Sequence, residues 1–311
     1  MTKKALFVFN PCSGKGTIKT KLFEIIDTLS VAGYEVTVCP TQKRRDGYEI
    51  VRKKGSAYSL LVVSGGDGTL NECVNGLLEI SEEERPFVGY IPTGSTNDFA
   101  STLKIPKKPA GAVSNIVNGK EFKCDVGRFN QNCFVYIAAF GAFTDVAYGT
   151  PQEIKNYLGH MAYILEGIKR LPNIKSHKLH IEHDEVELNG NFIYGMISNS
   201  TFVGGVRSYK NHTVDLADGL FECVFIRETE NASDLQAIIT GLLMQDFSFK
   251  GFYTFRANRV NIQSEEAMSW TLDGEYGGDH NKVDIENMNK AMTIMVGEKK
   301  PKKIEVFSTI L

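Results

Sequence analysis

In the first part of the chain, short unbroken apolar runs take turns with stretches whose apolar positions recur at three and four. Ala5 to Phe9 is the first run, and it breaks at Asn10-Pro11-Cys12-Ser13-Gly14-Lys15-Gly16, residues that suit a loop. Leu22, Ile25, Ile26 and Leu29 then share one helix face, and Gly33 is placed to stop that helix before a strand over Glu35 to Cys39. The cycle repeats as strand Ser59 to Val63, helix Leu70 to Leu78, strand Val88 to Ile91 and helix Ala110 to Val117. Strands and helices alternating at this pitch predict a mainly parallel open sheet with helices on both faces.

After about Phe122 the pattern changes. Short β-type runs take over, at Cys133 to Ala138, Lys178 to His183, Phe192 to Ser198, Phe221 to Ile226, Arg259 to Ile262 and Met292 to Val296. Only two helical patterns interrupt them, Ile154 to Leu171 and Ala232 to Leu243. The expectation is therefore an α/β chain: an N-terminal open parallel α/β domain over residues 1–122, with the tail 297–311 available to complete it, then a mainly antiparallel β-sandwich domain over 123–296.

Composition narrows the partners. With 42% apolar and 23% charged residues the chain reads as globular, and 35 basic against 37 acidic residues give a formal charge of −2. A global electrostatic grip on nucleic acid is thereby excluded. The longest apolar stretches, Phe134 to Phe143 and Leu235 to Met244, are about half of the roughly 20 residues a spanning helix needs. No signal peptide is visible at the start, so a cytoplasmic location is expected. The six cysteines lack any C-x-x-C pair and read as reduced, buried small hydrophobes.

Candidate chemistry lies in three loops that each follow a strand and precede a helix. They are Asn10-Pro11-Cys12-Ser13-Gly14, Gly65-Gly66-Asp67-Gly68-Thr69-Leu70-Asn71 and Pro92-Thr93-Gly94-Ser95-Thr96-Asn97-Asp98. In an open parallel sheet such loops gather at the carboxyl ends of the strands, where ligands bind. Glycines admit positive φ and close approach of N–H groups, helix N-termini add partial positive charge, and Ser13, Thr69, Ser95 and Thr96 add hydroxyls, so the three together predict a phosphate cradle. Each loop read alone is an ordinary turn or cap. Asp67 would repel phosphate unless a divalent cation lay between, which points to Mg²⁺. Neither a Walker A loop nor a dinucleotide fingerprint fits, since Gly16 follows Lys15 and Asn71 stands where a third glycine belongs.

With Val74-Asn75-Gly76 and Asn97-Asp98-Phe99, these loops resemble the diacylglycerol kinase catalytic family, in particular its soluble bacterial lipid kinases. The Gly-Gly-Asp-Gly stretch alone is shared with NAD kinases. The resemblance implies ATP held by Asn10, Pro11, Cys12, Ser13, Gly14, Gly65 through Asn71, Gly94, Ser95 and Asn97, with Thr41 contributing. It also implies that Asp125 joins Asp67 in a water and Mg²⁺ network. One departure is Ser95, where the third loop of the family usually has Thr.

Two acidic segments follow in the second half. Asp273 and Glu275 flank Gly274; in an extended segment they would face the same way as paired carboxylates able to take a hydroxyl proton, whereas Asp-Gly is also a favoured hairpin turn. The resemblance puts this segment at the cleft between domains, and Glu275 is preferred as proton acceptor with Asp273 as its partner or as a metal-linked carboxylate. Asp215-Leu216-Ala217-Asp218-Gly219-Leu220 is an oxygen-rich turn; the resemblance implies a structural Mg²⁺ on Asp218 with carbonyls of Asp215 and Leu220, and a solvated turn is the alternative. His177, His180 and His183 alternate across a strand, which argues against zinc.

The function expected is ATP- and Mg²⁺-dependent transfer of a phosphoryl group to a lipid hydroxyl, diacylglycerol or a related glycerolipid. The alternatives are a kinase of NAD or another soluble acceptor, and a nucleotide-binding regulatory module without turnover. A lipid acceptor implies reversible contact with the membrane surface, to which the basic runs Lys43-Arg44-Arg45, Arg52-Lys53-Lys54, Lys107-Lys108 and Lys299 to Lys303 could contribute. The sequence leaves a homodimer open.

Overall fold

A computed structural model describes residues 3–14, 16, 18–141, 175–203, 206–207, 214–229, 231–244 and 246–297. The helical pattern Ile154 to Leu171, most of the tail 297–311 and the basic run Lys299 to Lys303 lie outside the described residues. The chain divides into two compact units: the first runs to Val126 and resumes at Met288, and the second spans Gly127–Asn287. The sequence drew the first boundary near residue 122 and assigned 123–296 to the second domain.

Unit 1 alternates strand and helix. β1 (Lys3–Phe9), α1 (Ile18–Val31), β2 (Tyr34–Pro40), α2 (Asp46–Lys54), β3 (Leu60–Gly65), α3 (Asp67–Leu78), β4 (Phe87–Pro92), α4 (Asp98–Thr102) and α5 (Pro109–Asn118) follow in order. β1 pairs in parallel with β2 on one side and β3 on the other, and β3 pairs in parallel with β4. The last five residues of β1, all of β3 and the last five of β4 are buried, as continuous apolar strands sandwiched between helices must be. Gly33, at φ +88, ends α1. The residues after Met288 return to this unit with Met292, Ile294 and Val296 buried and Ile294 opposite Val88 in parallel. That late strand is why the unit is discontinuous in sequence. α2 and α4 are additions to the sequence reading, because α2 carries few apolar residues and α4 is a single short turn.

Unit 2 is antiparallel and β-rich. β5 (Lys120–Phe129) leads into it, followed by β6 (Asn132–Phe134), β7 (Ile137–Gly141), β8 (His177–His183), β9 (Val186–Ser198), β10 (Phe202–Val203), β11 (Val206–Arg207), β12 (Phe221–Arg227), α6 (Ala232–Met244), β13 (Phe252–Ala257), β14 (Arg259–Leu272) and β15 (Glu275–Val296). β7 and β8 lie end to end along β9, Gly141 opposite Tyr194 and His177 opposite Phe192, and both also pair with β14. Three strand spacings, about 14 Å in a flat sheet, separate β8 from β13. Yet the His183 ring on β8 lies face to face with Phe255 on β13 at 3.6 Å between centroids. The sheet therefore folds over on itself, and Phe140, Phe192, Phe225 and Trp270 fill the layer it encloses.

Three expected strands are redrawn. Cys133 to Ala138 splits into β6 and β7, because the N–H groups of Val135 and Tyr136 turn away from the ladder to a carboxylate described below. Arg259 to Ile262 and Met292 to Val296 prove to be the ends of two long strands, β14 and β15. The cysteine expectation is corrected in part: Cys73, Cys124 and Cys223 are buried, Cys39 and Cys133 half-buried, and Cys12 exposed on a loop.

Candidate functional site

Parallel pairing brings the carboxyl ends of β1, β3 and β4 level, with Phe9 opposite Ser64 and Gly65 opposite Pro92. The loops that leave these strands are consequently neighbours. Asn10 ties the first to the second: its N–H donates to Ser64 O (2.9 Å) and its Nδ2 to Thr69 Oγ1 (3.4 Å), while its Oδ1 accepts from Cys12 N–H (2.9 Å). Gly14 stands at φ +55, and a Cβ there would lie 2.1 Å from Thr93 O, so the first loop is pressed onto the third. A Cβ on Gly94 would lie 2.4 Å from Gly66 Cα, so the second loop touches the third as well. Thr41, buried at the end of β2, continues the ladder through its N–H to Phe9 O (2.9 Å).

The third loop is closed by its own side chain. Asn97, in the left-handed region at φ 54, accepts from Gly94 N–H through Oδ1 (2.9 Å) and donates through Nδ2 to Gly94 O (2.8 Å). Tyr90, fully buried on β4, donates to Gly65 O (3.2 Å) and so braces the second loop. Sequence reading missed Tyr90, which looks like a core residue of an apolar strand; only its hydroxyl reports a second duty. Leu70 is fully buried and supports the second loop from the core. Cys12, Gly14, Ser95 and Thr96 are exposed where the loops meet.

Asp67 opens α3 with Gly66 in the capping position, which places it where helix N–H groups are unpaired. Its Oδ2 accepts from Thr96 Oγ1 (3.2 Å) and from Asp98 N–H (3.1 Å). Its Oδ1 is buried without a hydrogen-bond partner. Burial pushes the carboxyl above its ordinary value, and the donors from Asp98 and Thr96 oppose that only in part. A buried carboxylate oxygen without a donor is costly, and a cation is one partner that would offset the cost. The residues here fit a divalent ion held by Asp67. Among the described residues, however, no three His, Cys, Asp or Glu side chains cluster as a metal cage. Asp125 is fully buried within unit 1, and its Oδ1 accepts from Lys290 N–H (2.7 Å) and Asn289 Nδ2 (3.1 Å).

In unit 2, Asp273 (φ +50) and Gly274 (φ +84) form the two-residue turn between β14 and β15, with Leu272 opposite Glu275. Positive φ at both positions is the hairpin geometry that Asp-Gly favours. The extended segment that would align the two carboxylates is therefore absent. Asp273 is buried and accepts from the N–H groups of Val135 (2.6 Å), Tyr136 (2.9 Å) and Ile137 (3.1 Å). Glu275 is exposed at the start of β15.

The second acidic turn is knit into its own unit. Asp215 Oδ1 accepts from Ala217 N–H (3.2 Å), Asp218 Oδ1 accepts from Leu220 N–H (3.1 Å), and Asp218 Oδ2 pairs with Arg256. Arg256 also reaches Glu222 Oε1 (3.2 Å), whose other oxygen is buried without a partner. Burial outweighs the Arg256 charge and drives the Glu222 carboxyl up to about 8. The Asp218 lone pairs thus face protein donors, an arrangement a cation would have to displace. Of the histidines on β8, His177 lies edge-on to Phe140, His180 bonds Asn189 and Glu182, and His183 is buried on Phe255.

With this geometry in hand, comparisons give a consistent answer. The family model described as the diacylglycerol kinase catalytic domain matches residues 4–129. A diacylglycerol kinase of Staphylococcus epidermidis is 35% identical, covering 89% of this chain and 87% of its own length. One from Bacillus subtilis is 32% identical over 89% of this chain and 91% of its own. A crystal structure titled as a diacylglycerol kinase from Bacillus anthracis superposes with a TM-score of 0.79 at 26% identity, covering 95% of this chain and 97% of that one.

Proposed function

The chain belongs to the diacylglycerol kinase family, and from that premise we propose that it transfers the γ-phosphoryl group of ATP, with Mg²⁺, to the hydroxyl of a diacylglycerol or related glycerolipid. The observation that carries the reading is the orphaned Asp67 Oδ1 where three glycine loops meet. Main-chain N–H groups and the exposed hydroxyl of Ser95 bind the phosphates, and glycines at 14, 66 and 94 let the backbone approach them. Asp67 would hold the cation, which when bound neutralises charge on the transferring group. The acceptor oxygen forms a bond to the γ-phosphorus, the bond to the β-phosphate bridging oxygen breaks, and ADP departs.

Glu275 takes the hydroxyl proton in this scheme, because it is the exposed carboxylate of the pair. Asp273 positions it by pinning the turn. A glycerolipid acceptor brings the protein reversibly to a bilayer surface. Among the described residues no helix is long and apolar enough to cross a membrane. Lys43, Arg44, Arg52 to Lys54, Lys107 and Lys108 are exposed and offer local positive charge to anionic lipid.

The test is mass spectrometry of products from ATP and a panel containing diacylglycerol, monoacylglycerol, phosphatidylglycerol and NAD. A phosphorylated glycerolipid is expected; NAD phosphate with no lipid product would move the assignment to a soluble acceptor, and no product beside measurable ATP binding would indicate a regulatory module. Glu275→Gln is expected to slow transfer by about 10²-fold or more with ATP affinity unchanged. Full turnover in that variant removes Glu275 from the proton transfer.

A further inference from the structure

Glu72 lies on α3 in the same stretch as Asp67, yet its carboxylate turns to a different element. Oε1 accepts from Arg45 N–H (2.7 Å) and Oε2 from Gly47 N–H (3.2 Å), at the N-terminus of α2. Asp46 adds a second clasp, its Oδ2 accepting from Gln42 N–H (2.7 Å) and Lys43 N–H (3.0 Å). Four main-chain donors between Gln42 and Gly47 thus end on two carboxylates, and Arg45 is held at φ 69 with no glycine there to make that easy. The side chains leave little slack between the helices. A Cβ on Gly47 would stand 3.1 Å from Cys73 Sγ, and one on Gly76 would stand 2.5 Å from Tyr48 O.

This arrangement fixes the course of the chain from Thr41 to Gly47 relative to α3, the helix that begins at Asp67. We infer that Glu72 is a positioning residue for nucleotide binding, holding the Thr41 segment in register with the Asp67 end of α3 without itself touching nucleotide. The inference rests on the proposal that ATP occupies the loop site. It also gives Glu72 and Gly76 a physical reason of their own: one caps α2 from outside, and the other admits its backbone.

The experiment measures Mg-ATP binding by calorimetry, KM and kcat for ATP in lipid micelles, and the melting temperature. Glu72→Gln keeps one acceptor oxygen and turns an amide donor toward a second N–H. It is expected to bind ATP roughly tenfold more weakly, short of the about 100-fold that an ångström-scale misplacement can cost. KM should rise in step, with kcat within about twofold and melting little changed. Unchanged ATP affinity with lowered melting would reduce Glu72 to a stability role and overturn the inference. Should Glu72→Gln fold poorly, Arg45→Gly is added to remove the positive-φ strain while keeping the N–H. Weak ATP binding in the refolded double variant supports positioning, and wild-type affinity there overturns it. Absence of ATP binding by the unaltered protein would instead overturn the nucleotide reading from which this one starts.

Discussion

Asp67 and Asp273 are both buried aspartates beside tight turns, and they have been given opposite environments. Asp273 receives three main-chain N–H groups, and these charge-assisted bonds oppose the cost of burying it. Asp67 receives donors on one oxygen and none on the other, and burial pushes its carboxyl up. The first is an anchor that breaks one strand into β6 and β7 and sets a hairpin. The second keeps an unmet demand that a cation can answer. A carboxylate in a glycine-rich turn is therefore not informative by itself; what matters is how many of its lone pairs the fold has already used.

The largest effect that separates them is catalytic. Asp67→Ala is expected to lower phosphate transfer at least about 10³-fold, a barrier rise of roughly 4 kcal/mol, while the urea midpoint holds or rises because a poorly satisfied buried carboxylate has gone. Turnover near that of the unaltered protein would erase the distinction. Asp273→Ala should do the reverse to stability: three orphaned N–H groups at about 1–3 kcal/mol each predict a loss of roughly 3 kcal/mol or more in equilibrium denaturation, with Asp273→Asn recovering part of it. An unshifted midpoint would show that the nest contributes nothing.

Glu222 is an intermediate case, one oxygen paired with Arg256 and the other buried alone. Folded, it holds its proton up to about pH 8, against an ordinary value of 4.5. Between those values the native state binds more protons than the unfolded chain, so the contribution of this site is full below the unfolded pKa and is lost as pH rises through about 8. Denaturation midpoints across that range should fall with pH, and Glu222→Gln should flatten the slope; an identical slope in both proteins would exclude Glu222 as its source.

Much of unit 1 was legible because its signals are local. Apolar runs, the helix face of Leu22, Ile25 and Leu29, and the stop at Gly33 depend on residues within a few positions of one another. α2 was not legible: its start is held by Glu72, 25 and 27 residues away, and its own apolar pattern is sparse. Among the candidate residues, the three loops were found by composition, whereas the split of Cys133 to Ala138 depended on an aspartate more than 130 positions later. The turn at Asp273-Gly274 was one of two local readings, and pairing of β14 with β15 selected it.

By itself the sequence determined the strand and helix alternation, the three glycine-rich loops between strand and helix, and the change to β-type runs after the first third of the chain, since each follows from near-neighbour sterics and periodicity. Only the tertiary structure decided which carboxylates are satisfied. Asp67 retains an open oxygen, Asp273 and Asp125 are engaged by backbone amides, and Asp218 is engaged by Arg256. The physical reason is that a hydrogen bond to a buried carboxylate is supplied by whichever strand or helix packs against it, and that is set by long-range pairing rather than by the residues on either side.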